Sequence, residues 1–213
     1  EADPWTSELL ADCLDETGDL VGAEAAIRVA LETPDQVPDE VRRRQNTLGV
    51  ILKHRGRLEE AYAAFTRALE SRSNDPAVLH NLATLQETRG EPEQALETYE
   101  KALSQAGVPM TRWRYGRLLW GQDQVERALT TLKQAAGQLD RWTWPPSTRW
   151  LPAYDVGRLY ARHGRQQAAI GWFEDALRQA RTPRAVREVQ SWLTFARAQA
   201  SLGEPPLPAS PTE

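Results

Sequence analysis

Cysteine, methionine, lysine and histidine are all scarce in this sequence: one Cys, one Met, three Lys and three His among 213 residues. A single cysteine, Cys13, can form neither an internal disulfide nor a cysteine cage for zinc. His54, His80 and His163 stand far apart, and no HExxH pattern joins any two of them. Gly-rich phosphate cradles of the GxxxxGK[ST] or GxGxxG type are absent as well. No apolar run approaches the roughly 18 residues that cross a bilayer, and no basic-then-apolar leader opens the chain at Glu1. The residues therefore predict no bound metal, no cofactor, no membrane insertion and no catalytic constellation. The expectation is a soluble non-enzyme, and its compartment, cytoplasmic or periplasmic, is not written in the sequence.

Hydrophobic residues make up 40% and charged residues 26%, the balance of an ordinary folded chain that can bury a core. The net charge is −4, unevenly placed: −11 over residues 1–40, +1 over 41–110 and +6 over 111–213. Arginine supplies 23 of the 26 basic residues, a skew of the kind GC-rich coding produces. The overall sign argues against nucleic acid, although a basic segment interleaved with tryptophan is the composition of a single-strand platform.

What the chain does have is a repeat. GDLVGAEAAIRVAL (18–31), GRLEEAYAAFTRAL (56–69), GEPEQALETYEKAL (90–103), DQVERALTTLKQAA (123–136) and GRQQAAIGWFEDAL (164–177) align without gaps. Each carries alanine (Ala23, Ala61, Ala95, Ala128, Ala169), then four residues on a larger side chain (Ile27, Phe65, Tyr99, Leu132, Phe173). Three residues further stands alanine again (Ala30, Ala68, Ala102, Ala135, Ala176). Steps of four and three share one helix face, and small–large–small along it is what closely approaching helices require. Ahead of each block lies a second helical pattern in which Leu10, Leu48, Leu82, Tyr115 and Val156 are followed by Ala11, Gly49, Ala83, Gly116 and Gly157. The unit is a helix–turn–helix hairpin. Cys13 falls in register with Ile51, Leu85, Leu118 and Leu159, which predicts a small buried hydrophobe.

Equivalent alanines are 38, 34, 33 and 41 residues apart. That period, with the small residue after the first-helix Leu, the turn glycine and the paired alanines, resembles the tetratricopeptide repeat family over about residues 4–178. The first-helix tryptophan usual in the family is replaced by Ser7, Gln45, Leu79, Arg112 and Ala153, and Asp123 stands where a turn glycine is expected. The resemblance implies an all-α, right-handed α-solenoid over 1–203. Its repeats would be 4–35, 42–75, 76–108, 109–141 and 150–181, closed by a capping helix over 183–202. Beyond it EPPLPASPTE, 204–213, reads as a disordered tail or linker.

Two insertions break the period. TPDQVPDEV (33–41), rich in acid and proline, reads as a loop. RWTWPPSTRW (141–150) holds three tryptophans and two prolines, and admits two readings. It is either a joint whose tryptophans cover the apolar edge between irregularly stacked hairpins, or an aromatic contact site.

In the family, first helices line a concave face where peptides or partner helices bind, so the resemblance implies a protein–protein interaction scaffold. By register the lining is Glu8, Asp12 and Asp15, then Asn46, Val50 and Lys53, then His80, Asn81 and Thr84. Trp113, Arg114, Arg117 and Trp120 follow, then Tyr154, Arg158 and Arg162. Glu8, Asp12, Asp15 and Glu16 read as a solvated or partner-facing strip and not as a catalytic dyad. Of the family's carboxylate clamp only Asn81 and Arg114 match, while Asn46, Val50 and Met110 stand where Lys, Asn and Lys would be needed. Chaperone-tail binding is therefore not expected. The candidate partner-binding residues are Asn46, Lys53, Asn81, Trp113, Arg114, Arg117, Trp120, Tyr154, Arg158 and Arg162, with an anionic partner at the Arg/Trp-rich end. Trp113, Arg117, Trp120, Tyr154 and Arg158 are expected to form one exposed patch. The alternatives are a recruiting or regulatory segment of a larger enzyme, and a binder of an acidic polymer.

Overall fold

The computed structural model describes residues 4–32, 37–105, 109–138 and 144–202, with the side chains of Pro4, Trp5 and Pro109 excepted. Trp142 of the 141–150 insertion and the 204–213 segment lie outside the described residues. Among the described residues there are eleven α-helices and no strand. By contacts the chain divides into two compact units, Glu1–Thr111 and Arg112–Glu213.

In the first unit three hairpins follow one another: α1 (Pro4–Thr17) with α2 (Leu20–Leu31), α3 (Pro38–His54) with α4 (Leu58–Glu70), and α5 (Pro76–Arg89) with α6 (Pro92–Ser104). The second helix of one hairpin packs on the first helix of the next, α2 on α3 and α4 on α5. The helix α7 (Pro109–Gly121) enters the second unit. There α8 (Val125–Gly137) packs on α9 (Leu151–Arg162), α9 on α10 (Gln166–Gln179), and α10 on α11 (Pro183–Ser201).

Turn chemistry repeats with the sequence. Gly56, Gly90 and Gly164 sit at φ of 76°, 75° and 73°, and Asp123 takes the same left-handed conformation at 58°. Aspartate is among the few side chains that tolerate this region, so the missing glycine leaves the turn intact. Each turn is closed by the same bond from the next residue back five positions: Arg57 N–H to Leu52 O, Glu91 to Gln86, Gln124 to Leu119 and Arg165 to Tyr160, at 2.9–3.0 Å. These are the Schellman bonds that satisfy carbonyls left over at a helix end. At the starts, Asp75 accepts from Ala77 and Val78 N–H and Thr182 from Ala185 N–H, each just ahead of a proline.

The aligned small–large–small positions of all five second helices are at most 2% exposed. How near the helices come is measured by the glycines opposite them. A Cβ built on Gly49 would lie 2.5 Å from Phe65 Cε1, one on Gly116 2.8 Å from Leu132 Cγ, and one on Gly157 2.7 Å from Phe173 Cδ1.

Three expectations are corrected. Cys13 is exposed, not buried, and Leu10 is 52% exposed. The equivalent faces of α3, α5 and α9 are covered by the second helix of the hairpin before, and no described hairpin precedes α1. Glu8 is also buried and not part of an open acidic strip: Arg43 Nε donates to it at 2.5 Å and Arg44 Nε at 3.3 Å. Finally, Pro38–Val41 of the presumed 33–41 loop form the first turn of α3. Proline at the first helical position and Asp39 and Glu40 against the helix dipole explain that early start.

Candidate functional site

In the first unit Asn46, Asn81 and Lys53 are tied into a polar ladder between α3 and α5. Asn81 Nδ2 donates to Asn46 Oδ1 at 2.9 Å, and Lys53 Nζ to Thr84 Oγ1 at 3.1 Å. His80 and His54, which could be imagined sharing a metal, are held apart by other partners: His80 Nδ1 lies 2.9 Å from Thr111 Oγ1, and His54 Nδ1 2.9 Å from Asp15 Oδ1. Among the described residues no group of three metal-ligating side chains is found.

The second unit holds a denser constellation. Trp113, Arg117 and Trp120 follow at steps of four and three on α7, and Tyr154, Arg158 and Arg162 at steps of four on α9, so each set occupies one helix face. Guanidinium groups lie over aromatic rings throughout. Arg117 sits 5.0 Å from the Trp113 centroid and Arg114 5.9 Å from the same ring. Arg158 is 5.2 Å from Trp120, 5.4 Å from Tyr154 and 5.6 Å from Trp192 of α11, while Arg162 is 5.1 Å from Trp120. Distances within about 6 Å of a ring centroid are those at which a cation is held by the ring quadrupole. Such stacking leaves the N–H edges of a guanidinium free to point outward.

At the centre is Asp155, only 2% exposed. It accepts from Trp113 Nε1 at 2.8 Å, with Arg158 Nη1 at 3.5 Å and Arg117 Nε at 3.7 Å. Burial pushes its pKa above the usual carboxylate value, and the Trp113 hydrogen bond and the two arginines only partly offset this. The Tyr154 hydroxyl donates to Glu188 of α11 at 2.9 Å, and its pKa is raised by burial first and by that acceptor second.

The expectation of a fully exposed patch needs correction. Trp113 and Tyr154 are buried, at 6% and 4% exposure, because each spends its polar atom on a buried or neighbouring carboxylate and its ring on other rings. Trp113 packs edge-on against Trp144 and Tyr154 against Trp150, both from the 141–150 insertion and both buried. What remains on the surface is Arg117, Arg162 and the partly exposed Trp120 and Arg158. With Gly121 these four line a depression of about 340 Å³. The arginines and Trp120 thus line it, while Trp113 and Tyr154 are buried against the arginines that stack on them.

Sequence reasoning passed over Asp155, Glu188 and Trp192. A signal for Asp155 existed: it stands in the same register as Asn81 and Arg114, two positions already singled out. Glu188 and Trp192 had none, since α11 reads only as a cap.

Two family models described as tetratricopeptide repeat match the chain, over residues 43–106 and 80–141. No curated protein sequence matches it. Among solved structures, pilF of Pseudomonas aeruginosa is 27% identical, with 78% of this chain and 76% of that chain covered and a TM-score of 0.64. BtubC from P. vanneervenii is 20% identical over 97% of this chain and 84% of that one, at a TM-score of 0.70. YrrB, described as a TPR protein with an unusual peptide-binding site, is 18% identical over 89% and 92%, at 0.59.

Proposed function

Because the chain belongs to the tetratricopeptide repeat family, we propose that it is a protein-interaction scaffold that takes an anionic peptide segment against the depression rimmed by Arg117, Arg158 and Arg162. The observation that carries this reading is the stacking of those three guanidiniums on Trp113, Trp120 and Tyr154. Arginine held flat on a ring is pre-organised, so little side-chain freedom is lost when a carboxylate docks on its edge. Among the described residues the carboxylate paired with the rim arginines is Asp155, and it is buried. The rim therefore keeps an excess of positive charge. Trp120 adds an apolar surface on which an aromatic side chain of the peptide can rest, and Trp and Arg are the residues most enriched at binding hot spots. The same fold carries a peptide-binding site in YrrB.

Fluorescence anisotropy with a labelled peptide of Asp, Glu and Phe, against a neutral peptide of the same length, tests this. The double change Arg117→Ala, Arg162→Ala should weaken the acidic peptide at least about tenfold, as expected for two hot-spot residues. The melting temperature should hold, since both side chains are exposed. Equal binding of both peptides, or unchanged affinity in the double variant, would remove the proposal.

A further inference from the structure

A second cavity of the same unit shares no residue with the depression above. It measures about 380 Å³, at the lower end of the range of small-molecule pockets, about 300–1,000 Å³. The end of α8 supplies Ala136 and Gly137, the 141–150 insertion supplies Pro146 and Arg149, and the end of α10 with the residues after it supplies Asp175, Arg178, Gln179 and Arg181. We propose that this cavity is a binding site for a phosphate group, carried either as the free ion or on a small ester.

The charge balance is the first support. Three guanidiniums face one carboxylate, and that carboxylate is already engaged: Arg178 Nη2 donates to Asp175 Oδ1 at 3.0 Å and Gln179 Nε2 to its Oδ2 at 3.2 Å. Among the described residues Arg149 and Arg181 are left over, a charge of two that a phosphate dianion matches and a single carboxylate does not. The hydrogen-bond account agrees. Among the described residues the buried Arg149 Nε has no acceptor and the buried Gln179 Oε1 no donor. Buried polar atoms left in this way are uncommon in folded proteins and call for an explanation. A turn of the Arg149 side chain toward the cavity brings its guanidinium edge to a phosphate oxygen in the bidentate geometry that group favours. The insertion contributes Pro146 and Arg149 to the lining while its Trp144 and Trp150 are buried.

Calorimetric titration of the full chain with inorganic phosphate, glycerol phosphate and acetate, each at matched ionic strength, decides the matter. Both phosphates should bind saturably and acetate at least about tenfold more weakly. Equal affinity for the two phosphates assigns the site to the ion, and tighter glycerol phosphate to an ester. Arg149→Gln with Arg181→Gln should lose at least about tenfold. Should that pair fail to fold, Arg181→Glu alone, at an exposed position, should show the same loss. The Arg117→Ala, Arg162→Ala variant should bind phosphate as the parent does. No saturable phosphate binding above chloride, unchanged affinity in the Arg149 and Arg181 variants, or loss in the Arg117/Arg162 variant would each overturn the assignment.

Discussion

Replacing Gly49 with alanine tests whether close helix approach is what the small first-helix residue serves. A methyl group there would meet three atoms of the Phe65 ring at 2.5, 2.7 and 2.9 Å, inside any tolerable carbon–carbon contact. Phe65 is fully buried, so its ring cannot swing aside into solvent and either α3 or α4 must shift. Overpacking of this kind costs about 1–3 kcal/mol. Against it stands the intrinsic preference of a helix for Ala over Gly, about 1 kcal/mol. The net expectation is a loss of about 0–2 kcal/mol, too wide to interpret alone. Gly171 provides the control: it lies inside α10, where an added Cβ meets nothing within 4 Å. Gly171→Ala should therefore stabilise by about 0.5–1 kcal/mol, the helix term without the clash. The difference between the two variants, about 1–3 kcal/mol, isolates the packing term. At about 2–4 °C per kcal/mol for a chain of this size, it separates their melting temperatures by roughly 2–12 °C. Thermal melts followed by far-UV circular dichroism, supported by urea titration, measure it. If Gly49→Ala melts at or above Gly171→Ala, the hairpin contact is not sterically limited at that position and the repeat register argued from the glycines is wrong.

Two further outcomes are expected. Burial pushes the Glu8 pKa up, but the hydrogen bonds and charges of Arg43 and Arg44 hold it below the ordinary glutamate value overall. A carboxylate depressed on folding contributes stability above its unfolded pKa and loses it as pH falls through the folded value. The gap in melting temperature between the parent and Glu8→Gln should be widest at neutral pH and close as pH drops below the ordinary glutamate range; a gap that is constant with pH would show that the ion pairs are not its source. Trp144→Ala removes a ring that is 3% exposed and packed edge-on against Trp113. It should cost about 3–5 kcal/mol in chemical denaturation, and a variant as stable as the parent would mean that the insertion is not a structural joint.

Helix boundaries, the hairpin repeat and its packing face are consequences of local pattern. Alanines at steps of seven with a large residue between them, caps such as Asp75-Pro76 and Thr182-Pro183, and the turn glycines act through contacts within one hairpin, which a linear sequence displays. Burial of a particular side chain depends instead on what stands beside its hairpin. Cys13 and Leu10 carry the core register yet are exposed for want of a described neighbour, and Glu8 carries a surface register yet is buried because Arg43 and Arg44 reach it from α3. The candidate site divides in the same way. The arginines and aromatics of α7 and α9 are placed on common faces by helical periodicity alone. Only tertiary packing determines that Trp113 and Tyr154 are buried while Arg117 and Arg162 stay on the surface, because Asp155, Glu188 and Trp144 meet the two aromatics from distant segments, as Trp192 meets Arg158. A hydrogen bond from an indole to a buried carboxylate leaves no periodic trace, so its position is decided by the fold.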